Sequence, residues 1–189
     1  MSDKYKAIDN DKAHFITITV VNWVDLFTRK SLCEVVLDSL KYCRSQKGLE
    51  IYAWCLMSSH LHMICKAPEG VKLGVIMRDF KTHTSKKIIE SIVSKPESRR
   101  EWLLEAFSKA CAHLKRDQNY KVWQNGYHAE EIRTYAFLES KLDYIHRNPV
   151  KAGLVEFPED YMYSSARSYA ERSALMDIEL ISRRWKTIR

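Results

Sequence analysis

Apolar residues along this chain recur at two different spacings, and each change of spacing marks a new element. His14-Phe-Ile-Thr-Ile-Thr-Val-Val21 is rich in β-branched residues. Its apolar side chains fall on both faces, the pattern of a central strand. From about Ser31 to Gln46 the spacing becomes helical, with Leu32, Val35, Val36 and Leu40 on one stripe. Ser31 is placed to cap that helix and Gly48 lies just past its end. Leu49 to Met57 reads as a second strand, Ser58-Ser59 as a short turn, and His60 to Lys66 as a third strand. Strands joined so tightly form an antiparallel hairpin.

Pro68-Glu69-Gly70 breaks the third strand, and a long helix is predicted over about Leu73 to Val93, with Ile76, Phe80, Ile88 and Ile92 near one side. Pro96 separates it from a further helical run, Glu97 to about Lys115. Tyr120 to Gln124 is a short strand candidate and Asn125-Gly126 a turn. A helix from about Thr134 to Asn148 follows, with Pro149 marking its end or a kink. From about Tyr161 the chain is amphipathic and finishes in Arg183, Arg184, Lys186 and Arg189. Strand–helix–strand–strand–helix with later strands is the order of an α+β, ferredoxin-like antiparallel sheet. Its helices would pack mainly on one face, leaving the other for a site. The 189 residues fit one domain, with a core over about 13–170 and a basic helix or tail after 170.

A formal net charge of +7, from 31 Lys and Arg against 24 Asp and Glu, suits a polyanionic partner and equally a solvated surface. The cysteines, Cys33, Cys43, Cys55, Cys65 and Cys111, are odd in number and form no CxxC pair. Neither a disulfide framework nor a zinc knuckle is indicated, and they read as small buried hydrophobes of a reducing compartment. The first residues lack an apolar signal core, and no run approaches the ~18 apolar residues of a membrane span. The expectation is a cytoplasmic protein with no membrane contact.

The chemistry concentrates in two places. In Ser59-His60-Leu61-His62-Met63-Ile64-Cys65, strand alternation puts Leu61, Met63 and Cys65 on one face and both imidazoles on the other. Two imidazoles one strand repeat apart can serve one metal ion, although an exposed strand face explains such a pair too. In Leu142-Asp-Tyr-Ile-His-Arg-Asn148, a stripe of Leu138, Leu142 and Ile145 faces the core. Tyr144, Asn148 and Lys141 lie off that stripe, and His146 faces away from Tyr144. Phenol, amide and imidazoles together suggest a metal-assisted tyrosine nucleophile acting on a phosphodiester. Arg78, Lys81, Lys86 and Lys87 on the long helix form a candidate DNA-binding patch, and Lys151 a candidate phosphate contact. Trp123 and Tyr127 flank a turn and are candidates to stack on bases, with packing the preferred reading for Trp123.

The segments Trp54-Cys-Leu-Met-Ser-Ser-His-Leu-His-Met63 and Leu142-Asp-Tyr-Ile-His-Arg-Asn-Pro-Val-Lys-Ala-Gly-Leu-Val155 resemble the two signature regions of the single-tyrosine HUH transposases, of the insertion-sequence 200/605 type and their REP-associated relatives. Tyr161-Met-Tyr-Ser-Ser-Ala-Arg167 resembles the segment that follows in the REP-associated branch. The likeness runs from about His14 to Tyr169. It implies that Tyr144 cleaves single-stranded or hairpin DNA through a 5′-phosphotyrosine link. It also implies that His60, His62 and the Asn148 side chain hold Mg²⁺ or Mn²⁺, and that the enzyme is nucleoid-associated in a bacterial cell. Monomer and homodimer both occur in the family and both stay open. Two rival readings are a replication- or conjugation-type HUH nickase and a non-catalytic ferredoxin-like nucleic-acid-binding module. The second has no need for His60, His62 and Tyr144 to converge.

Overall fold

The computed structural model describes residues 12–111 and 119–181. Its strands are β1 (His14–Thr19), β2 (Glu50–Leu56), β3 (His60–Lys66) and β4 (His128–Glu131). Its helices are α1 (Lys30–Lys47), α2 (Leu73–Ser94), α3 (Arg100–Lys109), α4 (Tyr135–Lys151) and the short α5 (Ala166–Tyr169). The strands form one antiparallel sheet in the order β2-β3-β1-β4, the arrangement of a ferredoxin-like α+β domain.

Strand alternation divides the sheet between two cores. Ile16, Ile18, Leu61, Met63 and Cys65 point into the larger one, where α1 and α2 contribute Val36, Leu40, Ile76, Phe80 and Ile88. Phe15, Ala53, Cys55 and Ile64 point the other way and meet Leu142 and Ile145 of α4. The second face is therefore partly roofed by α4, near β2 and β3, and the site lies beside that roof. A register shift between Ile51 and Ala53 resets the alternation along β2, so Trp54 joins the larger core.

Several expectations are corrected at this level. α1 begins one residue before Ser31, Arg29 precedes it, and no side chain caps it. Residues 120–124 form no strand; Trp123 makes a single bridge to Val20, and the true fourth strand is His128–Glu131. The third helix spans Arg100–Lys109, and the basic residues Arg183, Arg184, Lys186 and Arg189 lie outside the described residues. α4 does not stop at Asn148 but runs through Pro149 to Lys151. Proline removes one donor from the helical ladder, yet burial of Pro149 and continuation to Lys151 keep the turn helical.

The segment after α4 seals the β2 edge, which would otherwise present unpaired backbone groups. Leu56 N–H donates to the Tyr163 carbonyl and Ser165 N–H to the Trp54 carbonyl, both at 2.9 Å. Tyr161 and Tyr169 donate their hydroxyls to the Leu56 and Tyr52 carbonyls. The Tyr-Ser-Ser segment is thus a structural clasp. Among the described residues no helix is long and apolar enough to cross a membrane.

Candidate active site

β3 delivers the two imidazoles. In the β1–β3 pairing His60 faces Thr19 and His62 faces Thr17. The His60 and His62 ring centroids are 4.6 Å apart, so the pair shares one face as the alternation requires. That face is not open at His62, which is only 4 % exposed. Its ring stacks on Phe15 at 5.6 Å, and its Nδ1 lies 2.8 Å from the Thr17 hydroxyl. His60 Nδ1 lies 3.1 Å from the Ser59 hydroxyl. Burial pushes the pKa of His62 down to about 3, and electrostatic coupling to the neighbouring groups of His60, Lys141 and His128 lowers it further. Burial lowers that of His60 as well. Both rings are held neutral, the form in which imidazole binds a metal.

α4 delivers the phenol. Thr134 caps the helix by accepting from Phe137 N–H at 3.1 Å. Leu142 and Ile145 bury its apolar stripe against the sheet. With that stripe fixed, Tyr144 falls at the margin of the helix footprint, 40 % exposed and beside the imidazoles. Its ring meets His62 edge-on at 5.2 Å and Phe15 at 5.8 Å. Residues far apart in sequence therefore converge within one chain. Lys141 and Lys151 flank the phenol, their ammonium groups 6.0 and 5.7 Å from the ring centroid. Lys141 is itself held over Phe15 at 4.3 Å and by Glu130 at 2.8 Å. Glu130 also accepts from His128.

Asn148 lies one helical turn beyond Tyr144, and its amide nitrogen donates to the Tyr144 carbonyl at 3.2 Å. The structure brings His60, His62 and Tyr144 together; the Asn148 side chain bonds this carbonyl rather than an imidazole. His146 points away from the group, as its helical position predicts, and is buried with Nε2 2.9 Å from the Ser165 hydroxyl.

The lysines and arginine of α2 lie elsewhere. α2 packs on the sheet face opposite the histidines. Arg78 and Lys87 are exposed and pair with Asp79 and Glu90, and Lys86 is exposed. Lys81 serves the fold instead. Its ammonium donates to the carbonyls of Gln124 and Gly126, at 2.6 and 2.5 Å, and ties down the loop before β4. Burial, with Lys121 nearby, lowers its pKa to about 8. Trp123 is packed, donating to Thr84.

Sequence reasoning misses Phe15, Thr17, Trp23, His128 and Glu130. Period-two alternation along β1 puts Phe15 and Thr17 on one face, but only the register of β1 against β3 sets them against His62. His128 and Glu130 stay hidden because β4 carries no strand pattern of its own.

The residues present fit a metal ion. His62 Nε2 is buried and has no hydrogen-bond partner, an orphaned lone pair or proton in a ring whose other nitrogen is engaged by Thr17. A metal ligand supported from its far nitrogen has that arrangement. Among the described residues no three His, Cys, Asp or Glu side chains group as a metal site.

A ferredoxin-like sheet with two neutral imidazoles and a phenol on one face narrows the class to domains with a histidine–tyrosine centre. Comparison with known proteins then places the chain: the model of a family described as "Transposase IS200 like" matches residues 7–103, and the chain belongs to that family. The match includes the histidine strand and ends before Tyr144. A REP-associated tyrosine transposase of Escherichia coli (strain K12) is 28 % identical over 122 residues, which are 65 % of this chain and 57 % of that protein. A Haemophilus influenzae protein classed with the same transposases is 28 % identical over 121 residues, 61 % of this chain and 58 % of its own length. The chain thus spans little more than half the length of these relatives. A solved structure of the REP-associated tyrosine transposase bound to a REP hairpin superposes with a TM-score of 0.61 at 22 % identity, over 97 % of this chain and 98 % of the other, and supports the fold.

Proposed function

We propose that the protein cleaves and rejoins single-stranded DNA, with Tyr144 as nucleophile. One observation carries this reading: the Tyr144 ring lies 5.2 Å from that of His62, in the same chain. Membership of the IS200-like transposase family supports it. The Tyr144 oxygen forms a bond to phosphorus and gives up its proton. The bond from phosphorus to the 3′-oxygen breaks, leaving a 5′-phosphotyrosine and a 3′-hydroxyl that takes up a proton. Because the ester bond is exchanged rather than hydrolysed, rejoining needs no ATP.

His60, His62 and the Asn148 side-chain oxygen would hold a divalent cation, Mg²⁺ or Mn²⁺. When bound, that cation supplies Lewis-acid polarisation of the scissile phosphate and stabilises charge on its oxygens. Thr17 orients the His62 ring, and burial keeps both rings neutral. Lys141 and Lys151 provide positive charge on either side of the phenol, matched to a phosphate at that point. The substrate proposed is a single-stranded segment beside a DNA hairpin, with Tyr144 acting on the phosphate bound by its own chain.

The deciding experiment incubates the protein with Mn²⁺ and a labelled, randomised single-stranded DNA library, and looks for a protein–DNA adduct stable to denaturant. Wild type should form it and Tyr144→Phe should not. An adduct persisting in Tyr144→Phe would sink the nucleophile assignment. Its absence from wild type, with DNA still bound, would favour the binding-module reading.

A further inference from the structure

The turn after β1 holds two successive non-glycine residues in the left-handed region, Asn22 at φ 53° and Trp23 at φ 55°. L-residues rarely adopt that conformation, and a bulky indole is an unusual occupant. The turn is fixed from both sides: Val21 N–H donates to the Val122 carbonyl at 2.8 Å, Trp23 N–H to Val20 and Val24 N–H to Val21. The side chains of Val20, Val21 and Val24 are buried. All this anchorage leaves the indole outside the core. Trp23 is 59 % exposed, whereas Trp54 and Trp123 are 0 and 2 % exposed.

The indole lies against the site. Its ring meets His60 edge-on at 5.4 Å. Ring contacts then run in order from Trp23 to His60, from His60 to His62 at 4.6 Å, and from His62 to Tyr144 at 5.2 Å. Trp23 stands at one end of this row and the phenol at the other, with the imidazoles between. An exposed aromatic face on a rigid turn is what an unpaired nucleobase stacks on. Displacement at phosphorus is in line, so the leaving 3′-oxygen lies opposite the attacking phenol.

We propose that Trp23 is a stacking platform for an unpaired base, that of the nucleotide immediately 5′ to the scissile phosphate, whose 3′-hydroxyl leaves and later returns. This rests on the reading of Tyr144 as nucleophile only for the position of the base along the strand. Trp23 holds that nucleotide while the phosphate is joined to the protein.

Two measurements test it, each on the full chain. In anisotropy titrations of a labelled oligothymidylate, Trp23→Ala should weaken binding about 5- to 100-fold and Trp23→Phe should recover most of the loss. Trp102→Ala, which removes a comparably exposed indole on α3, should leave affinity unchanged. Equal affinity of Trp23→Ala and wild type, or an equal loss in Trp102→Ala, overturns the proposal. In the second measurement, the cleaved bond is mapped from the randomised library with Mn²⁺ and an abasic residue is placed just 5′ to it. The abasic residue should slow adduct formation by wild type by about the factor seen for Trp23→Ala and slow Trp23→Ala no further. An equal abasic penalty in both proteins removes the assignment of that base. If wild type forms no adduct while Trp23→Ala still loses affinity, the cleavage reading falls and the stacking platform stands.

Discussion

The hydroxyl of Thr17 lies 2.8 Å from Nδ1 of His62, its cross-strand partner on β1, while Nε2 of the same ring is buried with no hydrogen-bond partner. Thr17 thus fixes the ring plane and engages one nitrogen, while the fold gives the other no hydrogen-bond partner. With Nδ1–H donating to the hydroxyl, Nε2 carries the lone pair that a metal needs.

Thr17→Val keeps the β-branched shape and removes the hydroxyl. Mn²⁺ affinity, measured by calorimetry, should fall about 10- to 100-fold, as for other partners that orient a metal ligand. Adduct formation should fall with it, and Thr17→Ser should restore both. Unchanged Mn²⁺ affinity in Thr17→Val would mean that the contact serves packing alone.

Ser165 is the buried hub that fastens the C-terminal clasp to the sheet. Its hydroxyl accepts from Trp54 N–H, donates to the Trp54 carbonyl and contacts His146 Nε2. Ser165→Ala leaves an amide and an imidazole nitrogen buried without this partner, at a cost of about 1–3 kcal/mol. Urea denaturation should register that loss, while Mn²⁺ affinity holds because His146 lies outside the site. A variant as stable as wild type would show that the clasp is held by its backbone bonds alone.

Lys81 gives a pH dependence with a definite sign. Burial brings its folded-state pKa to about 8, below the ordinary 10.5. Between those values the unfolded chain binds more protons than the folded one, so this residue's contribution to stability rises with pH across that window. Above about 8 the neutral amine still has two N–H groups for the Gln124 and Gly126 carbonyls. Relative to Lys81→Met, wild type should therefore gain stability as pH is raised from 8 towards 10.5. Parallel melting temperatures of the two proteins across that range would count against it.

Much of the fold is legible in the sequence because the patterns are local. The histidine strand His60–Lys66 has the limits its alternation predicts, and α2 ends within one residue of expectation. Alternation through Leu61, Met63 and Cys65 places both imidazoles on the face away from the larger core. The α4 stripe puts Tyr144 off the packed side, where it stands. The elements that depart from expectation lack such a pattern. β4, His-Ala-Glu-Glu, has little β-propensity and exists because β1 offers an open edge to pair with. Helix continuation through Pro149 is not legible because pre-proline sterics argue for a stop, and burial outweighs them.

By itself the sequence determined which side chains share a face, since periods of two and 3.6 follow from backbone geometry alone. It thereby determined the two halves of the candidate site, the imidazole pair and the off-stripe phenol. Only the tertiary structure decided that the halves meet, because strand order, the register of β1 against β3 and the docking of α4 are non-local. The same long-range packing buried His62 beneath Phe15, assigned Thr17 to its far nitrogen, turned Lys81 into a loop tie and stood Trp23 beside His60. None of these can be read from spacing, since each depends on a partner that only folding brings near.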